Sequence, residues 1–168
     1  MTTLSIYLND HLAGAIAGTE LAKRAAKNNR ETDFGDFLSQ LRDEIDSDRR
    51  SLERIMEALQ IKRNFPKDAA AWLSEKVGRL KLNGQIAGYS NLSRLVELEG
   101  LALGINGKQC LWKTLKELSG DDDRIDSAEV DRLIERALSQ AITLEEERTR
   151  AIRQTFPHRQ APEGVGAS

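Results

Sequence analysis

Seven side chains in this sequence have the types and spacing to do chemistry together: Tyr7, His11, Glu44, Asp48, Glu99, Glu145 and Arg148. Three long segments each carry an apolar stripe broken once near mid-length, by His11 in the first, Asp48 in the second and Arg148 in the last. A shorter segment adds Glu99. At about 100° per residue, His11 falls among Leu4, Leu8, Ala15 and Gly18, with Tyr7 one turn before it. Asp48 falls inside the arc of its segment and Glu44 at the edge. Leu92, Leu95, Val96, Ala102 and Leu103 define a face with Glu99 at its middle, and Glu97 points nearly the opposite way. Val130, Ile134, Ala137, Ala141, Leu144 and Ile152 define a face that contains Arg148, with Glu145 at its margin.

Burying one such group costs several kcal/mol unless it finds a partner. Two chemistries satisfy four breaks in one bundle. The first is a metal site. The second is an ion-pair knot, in which Arg148 neutralises Asp48 and Glu99. Heights along the chain fit a shared layer. His11 lies 19 residues before Arg30 and Asp48 lies 18 after it, while Glu99 and Glu145 each lie 23 residues from Asp122.

Periodicity sets the elements that must position these groups. The first helix is expected from Thr3 to Lys27, with Gly14 and Gly18 as a small-residue strip for close backbone approach. The second is capped at Thr32 or Asp33 and runs to Ile61 on the seam Phe34, Leu38, Leu41, Ile45, Leu52, Ile55 and Leu59. The short turn between these two implies an antiparallel hairpin. A third helix starts at Phe65-Pro66 and ends at Asn83-Gly84, with Trp72 beside its apolar stripe. A fourth runs from Asn91 to Leu103, breaks at Gly104 to Gly107, and resumes from Lys108 to Leu118. The fifth is capped by Asp126, with Glu129 at the capping-box spacing, and runs to Phe156 before Pro157. Residues 1–157 read as one domain, and 158–168 as a disordered Gly, Pro and Ala-rich tail.

Composition narrows the class. Hydrophobic residues at 39% and charged residues at 31% describe a globular chain, and 5% aromatics make its core aliphatic. A formal charge of -2 argues against nucleic acid as a partner, and no apolar run is long enough to span a membrane. One cysteine, Cys110, excludes an internal disulfide and reads as a small core residue in a reducing compartment. No basic and apolar leader opens the chain. The expectation is a soluble cytoplasmic protein.

The order of a long hairpin, a crossover with a short helix and a second antiparallel pair resembles the ferritin-like four-helix bundle over about residues 3–156. The resemblance implies an all-α, ferritin-like up-down bundle. In that superfamily two helices give a carboxylate and two give Glu-x-x-His, together binding two irons. Here Glu44 is followed by Ser47 and Glu145 by Arg148, where histidines would stand. The resemblance therefore implies a member that has lost its di-iron site, or one that binds a metal differently, iron or manganese held through His11, Glu44, Asp48 and Glu99. Three functions follow as expectations. One is a non-catalytic bundle acting through homo-oligomerisation or partner binding. Another is a degenerate metal-binding oxidoreductase or stress-protection protein. The third is an interhelical pocket where Arg148 meets an organic acid. Whether the chain is an enzyme stays open.

Weaker signals have simpler explanations. Asp122 to Glu129 looks like half of a calcium loop, but Leu118 and Gly120 stand where acidic ligands belong. Gly104-x-x-Gly107-Lys108 lacks the phosphate-loop spacing. Arg148, Arg150, Arg153 and Arg159 make a basic region that suits a helix C-terminus.

Overall fold

A computed structural model describes residues 2–64 and 88–157. They form four helices: α1 (Thr3–Asn29), α2 (Gly35–Ala58), α3 (Asn91–Leu118) and α4 (Ser127–Thr155), with no strand among the described residues. The expected helix over 65–84, Trp72, and the tail 158–168 lie outside the described residues. No described helix is long and apolar enough to cross a membrane.

Local chemistry fixes the ends. Thr2 caps α1 by accepting from the Ser5 amide. Helix α2 begins at Gly35 and has no side-chain cap. Thr32, expected as its cap, instead closes the preceding turn: its hydroxyl donates to the Asn29 carbonyl at 2.9 Å and accepts from the Phe34 amide at 3.2 Å. Only glycine fits at position 35, because a Cβ would stand 2.8 Å from the Arg30 carbonyl oxygen. The helix also ends earlier than its apolar seam suggests. Gln60 takes the left-handed conformation (φ 57°), the Gln60 amide donates to Glu57, and the Ile61 amide donates to Met56, which is a Schellman stop. Ser90 and Ser93 cap α3 reciprocally. Asp126 caps α4 through the Ala128 and Glu129 amides, while the Glu129 carboxylate turns to Arg54 at 3.0 Å.

Helix α3 is continuous through Gly104 and Gly107, contrary to the expected break. Leu101, Ile105, Leu111 and Trp112 are buried on either side of these glycines, so packing outweighs poor propensity there. The buried face of α3 is also rotated from the expected one. It is Leu95, Leu98, Leu101 and Ile105, whereas Leu92 and Leu103 are exposed. Cys110 is exposed rather than in the core.

Contacts along the helices give the topology. Helices α1 and α2 pack as an antiparallel hairpin, as do α3 and α4. Tyr7 bonds to Thr114 near one end and Arg24 pairs with Glu97 near the other, so α1 and α3 run antiparallel. Arg54 to Glu129 and Arg150 to the Asp33 carbonyl set α2 antiparallel to α4. It follows that α2 and α3 are parallel. The chain leaves the α2 end beside Asn9, where the Asn64 amide donates to Asn9 Oδ1, and returns at Tyr89 beside Asn29.

The core has two apolar halves. One gathers Leu8, Leu12, Leu52, Met56, Trp112 and Leu115, and the other gathers Ala22, Phe34, Leu38, Leu98, Leu101 and Leu144. Polar side chains and a cavity separate them.

Candidate functional site

Asp48 is the centre of that polar layer. It occupies the one gap in the α2 seam, whose seven apolar members are all buried, and is itself 2% exposed. A lone buried carboxylate is untenable, so its partners decide the local structure. Oδ2 accepts from Lys108 Nζ of α3 at 2.5 Å and from Gln140 Nε2 of α4 at 3.3 Å. Oδ1 accepts from Arg136 of α4 through Nε at 2.7 Å and through Nη2. Gln140 Oε1 accepts from Lys108 at 2.5 Å, and Gln140 Nε2 donates to Glu44 Oε2 at 3.0 Å. Three helices are thus tied by one acid. Burial pushes the Lys108 ammonium below the usual lysine range, and Asp48 opposes that shift.

The residues expected to share one layer divide into three groups. Glu44 and Asp48 join through Gln140. His11 and Tyr7 stack edge to face, with centroids 4.5 Å apart, and the Tyr7 hydroxyl donates to Thr114. His11 is half-buried and lines the same cavity as Asp48. Burial lowers its affinity for a proton, with a smaller opposing pull from Asp10. Glu99, Glu145 and Arg148 lie elsewhere, on the outer side of the α3–α4 pair. Arg148 grips Glu145 through two bonds of 2.7 Å and reaches Glu99 at 3.8 Å. Glu99 is half exposed because the α3 face is rotated, and Glu97 is the buried acid instead. Arg148 therefore neutralises Glu99 but not Asp48.

This geometry does not fit the expected iron or manganese site. Among the described residues no three His, Cys, Asp or Glu side chains gather as a metal requires. Glu99 is turned away, and both Asp48 oxygens already accept from cations. Protonated amine and guanidinium nitrogens have no lone pair to offer a metal.

Lys108, Arg136 and Gln140 are the members that sequence reasoning missed. Each had a signal. Gln140 continues the spacing Val130, Leu133, Ala137, Gln140, Leu144 on the buried face of α4. Arg136 precedes Gln140 by one turn. Lys108 stands between Ile105 and Leu111 on α3, hidden by the supposed break at Gly104 to Gly107.

A cavity of about 280 Å³ opens beside this layer between α1, α2 and α3. Gly14 and Gly18 of α1 line it, as do Gly100, Gly104 and Gly107 of α3. Among the described residues, a Cβ added at Gly14, Gly18, Gly104 or Gly107 would meet nothing within 4 Å. Among the described residues Gly14 and Gly18 therefore make no close helix approach, which differs from the sequence expectation. Trp112 closes one part of the wall. It is 1% exposed, and among the described residues its Nε1 has no hydrogen-bond partner.

A second polar cluster closes the end of the bundle near the α1–α2 turn. Asn29 Nδ2 donates to the Tyr89 hydroxyl at 2.6 Å, and that hydroxyl donates to Glu97 Oε2 at 2.8 Å. Glu97 Oε1 accepts from Arg24 Nε at 2.8 Å. Arg94 donates to Asn29 Oδ1 and Gln154 Oε1, and with Arg150 it brackets the Phe34 ring at 4.4 and 4.0 Å. Asn29, Tyr89, Arg94 and Glu97 all have partners, which marks a structural clasp. The chain was compared with family models, with characterised proteins and with solved structures, and no match was found in any of the three.

Proposed function

We propose that this chain is a non-catalytic binding bundle of ferritin-like ancestry, in which an ion-pair layer has replaced a metal centre. The observation that carries the reading is Asp48, held at mid-bundle by Lys108 and Arg136. Two cations stand beside the acid where a metal would otherwise supply positive charge. The parallel α2 and α3 support the architectural part. The layer then acts as a register device: only one alignment of α2, α3 and α4 satisfies the buried charge. Activity falls to surfaces and cavities, hence to binding. Leu103 and Ile142, 75% and 65% exposed on α3 and α4, support self-association. The lone cysteine supports a cytoplasmic location.

One preparation tests this. Protein expressed with added iron and manganese, and purified without chelator, is analysed for bound metal and for mass by light scattering. The expected result is no stoichiometric transition metal and a mass above that of the single chain. A stoichiometric iron or manganese that is lost in Asp48→Asn would overturn the reading.

A further inference from the structure

Of the seven large hydrophobic side chains exposed among the described residues, five lie on α3 and α4: Leu92, Leu103, Leu138, Ile142 and Phe156. Singly exposed apolar residues are ordinary, but these share one face. On α3, Leu92, Leu103, Cys110 and Lys113 follow one another at eleven, seven and three residues, which is a single arc at about 100° per residue. On α4, Glu135, Leu138, Ile142 and the C-cap Phe156 follow at three, four and fourteen. Both arcs point away from the core, opposite buried Ile105 and Trp112 on α3 and buried Leu133 and Leu144 on α4. Together they make the outer face of the α3–α4 pair.

Contacts between the two helices fix which members of the arcs share a height. Lys116 Nζ donates to Asp131 at 2.6 Å, Gln109 Nε2 donates to the Ala137 carbonyl at 3.3 Å, and Arg148 reaches Glu99 at 3.8 Å. On that register Leu92 is level with Phe156, Leu103 with Ile142, Cys110 with Leu138 and Lys113 with Glu135, each within about half a turn. Lys113 and Glu135 are exposed, and neither has an ion-pair partner among the described residues. Glu99 and Glu145, on the same face, are already held by Arg148 of their own chain.

This pattern selects a second copy as the occupant. A two-fold axis parallel to the helices lays α3 of one copy antiparallel on α4 of the other and preserves every height. Leucine then meets isoleucine or phenylalanine, and Lys113 meets the opposite charge of Glu135 twice. An axis across the helices would instead set the charged end of the face on the Leu92 and Phe156 end. The area suffices as well. Helices of 28 and 29 residues are about 40 Å long, and a pair is about 20 Å across, so each copy offers about 800 Å², the standard size of a stable interface.

We propose that the outer α3–α4 face is the interface of a homodimer whose two-fold axis runs along the bundle, with Leu103 packed on Ile142 and Lys113 paired with Glu135 across it. The proposal rests on the self-association in the reading above and gives it a surface and a register.

The test uses the full chain and its Lys113→Glu and Glu135→Lys variants, alone and mixed, with mass read by light scattering over a dilution series. The native chain should run at twice the mass of one chain. Each variant alone sets like charges together twice, so its dimer should dissociate at least about tenfold more readily. Mixing the two variants should restore the dimer, because each then supplies the charge the other lacks. Circular dichroism of each variant should match the native chain, since both positions are exposed. Register is read in a Cys110→Ser background, where oxidation of Leu103→Cys mixed with Ile142→Cys should give a covalent dimer and neither alone should. A native chain of single-chain mass would overturn both this proposal and the self-association reading, and would leave the face to residues 65–87 or to a different partner. A native dimer that both charge reversals leave intact, or that mixing does not restore, would overturn the proposal alone. So would cross-linking of Leu103→Cys with itself, which would place α3 on α3.

Discussion

Asp48 is the residue on which most of the described polar structure depends. Its carboxylate is 3% exposed, and it holds two cations from two other helices. Removing the acid charge leaves Lys108 buried without its counter-ion. Asp48→Asn should therefore destabilise by about 3–5 kcal/mol, because breaking a buried pair costs more than the pair contributes. Lys108→Met should cost less, since Arg136 still neutralises Asp48. The double variant Asp48→Leu/Lys108→Met should lose clearly less than the sum of its singles, and denaturant titration of all the variants reads that coupling. Additive losses would show that the two groups do not act as a unit. His11 makes a pH-dependent contribution. Burial holds its folded affinity for a proton below the usual value of about 6.5. The unfolded chain then takes up that proton first as pH falls. The contribution is present above about pH 6.5 and is lost below it, toward the depressed folded value. Melting temperature should fall on acidification from pH 7 to 5, and His11→Gln should flatten part of that fall. An unchanged slope would place the titration elsewhere.

At the scale of the helices, what was readable depended on which signals have one meaning. The α2 seam is unambiguous: seven apolar residues at heptad spacing with a single acid among them, and all eight are buried. Asp48 as a polar centre was legible for that reason. Helix α3 was not, because Leu92, Leu95, Leu98, Leu101 and Leu103 supply leucine on more than one face. Periodicity then cannot choose the buried side, and burial of Arg94 and Glu97 in the clasp removed the usual polar cue. Its glycines read as a break because glycine is about 1 kcal/mol worse than alanine inside a helix. The fold tolerates that deficit. Gly104→Ala and Gly107→Ala should each stabilise by about 0.5–1 kcal/mol, as neither position has a contact among the described residues for a Cβ to disturb. Gly35→Ala should do the opposite, with its Cβ 2.8 Å from the Arg30 carbonyl oxygen. Thermal melts of the three variants check both signs, and stabilisation by Gly35→Ala would contradict the described turn.

For the molecule as a whole, the question is what keeps two apolar half-cores in one register when polar groups separate them. The mid-bundle layer ties α2, α3 and α4, but the described hydrogen bonds from Asp48 do not reach α1. The clasp supplies that tie, linking Asn29 and Arg24 of α1 to Arg94 and Glu97 of α3 and to Gln154 of α4. Tyr89 is its hinge pin, because one hydroxyl accepts from Asn29 and donates to Glu97. The ring is 38% exposed, so solvent softens the loss, and Tyr89→Phe should cost about 1 kcal/mol. Alkaline pH offers an independent reading of the same bond. Burial first, then the hydrogen bond to Glu97, hold the phenol protonated well above the usual value of about 10. The unfolded chain loses that proton near pH 10 while the folded chain keeps it, so this contribution to stability fades as pH rises above 10. Melting temperature measured between pH 9 and 11 should fall more steeply for the native chain than for Tyr89→Phe. Parallel curves would mean that the phenol is free in solution and that α1 is tied to α3 without it.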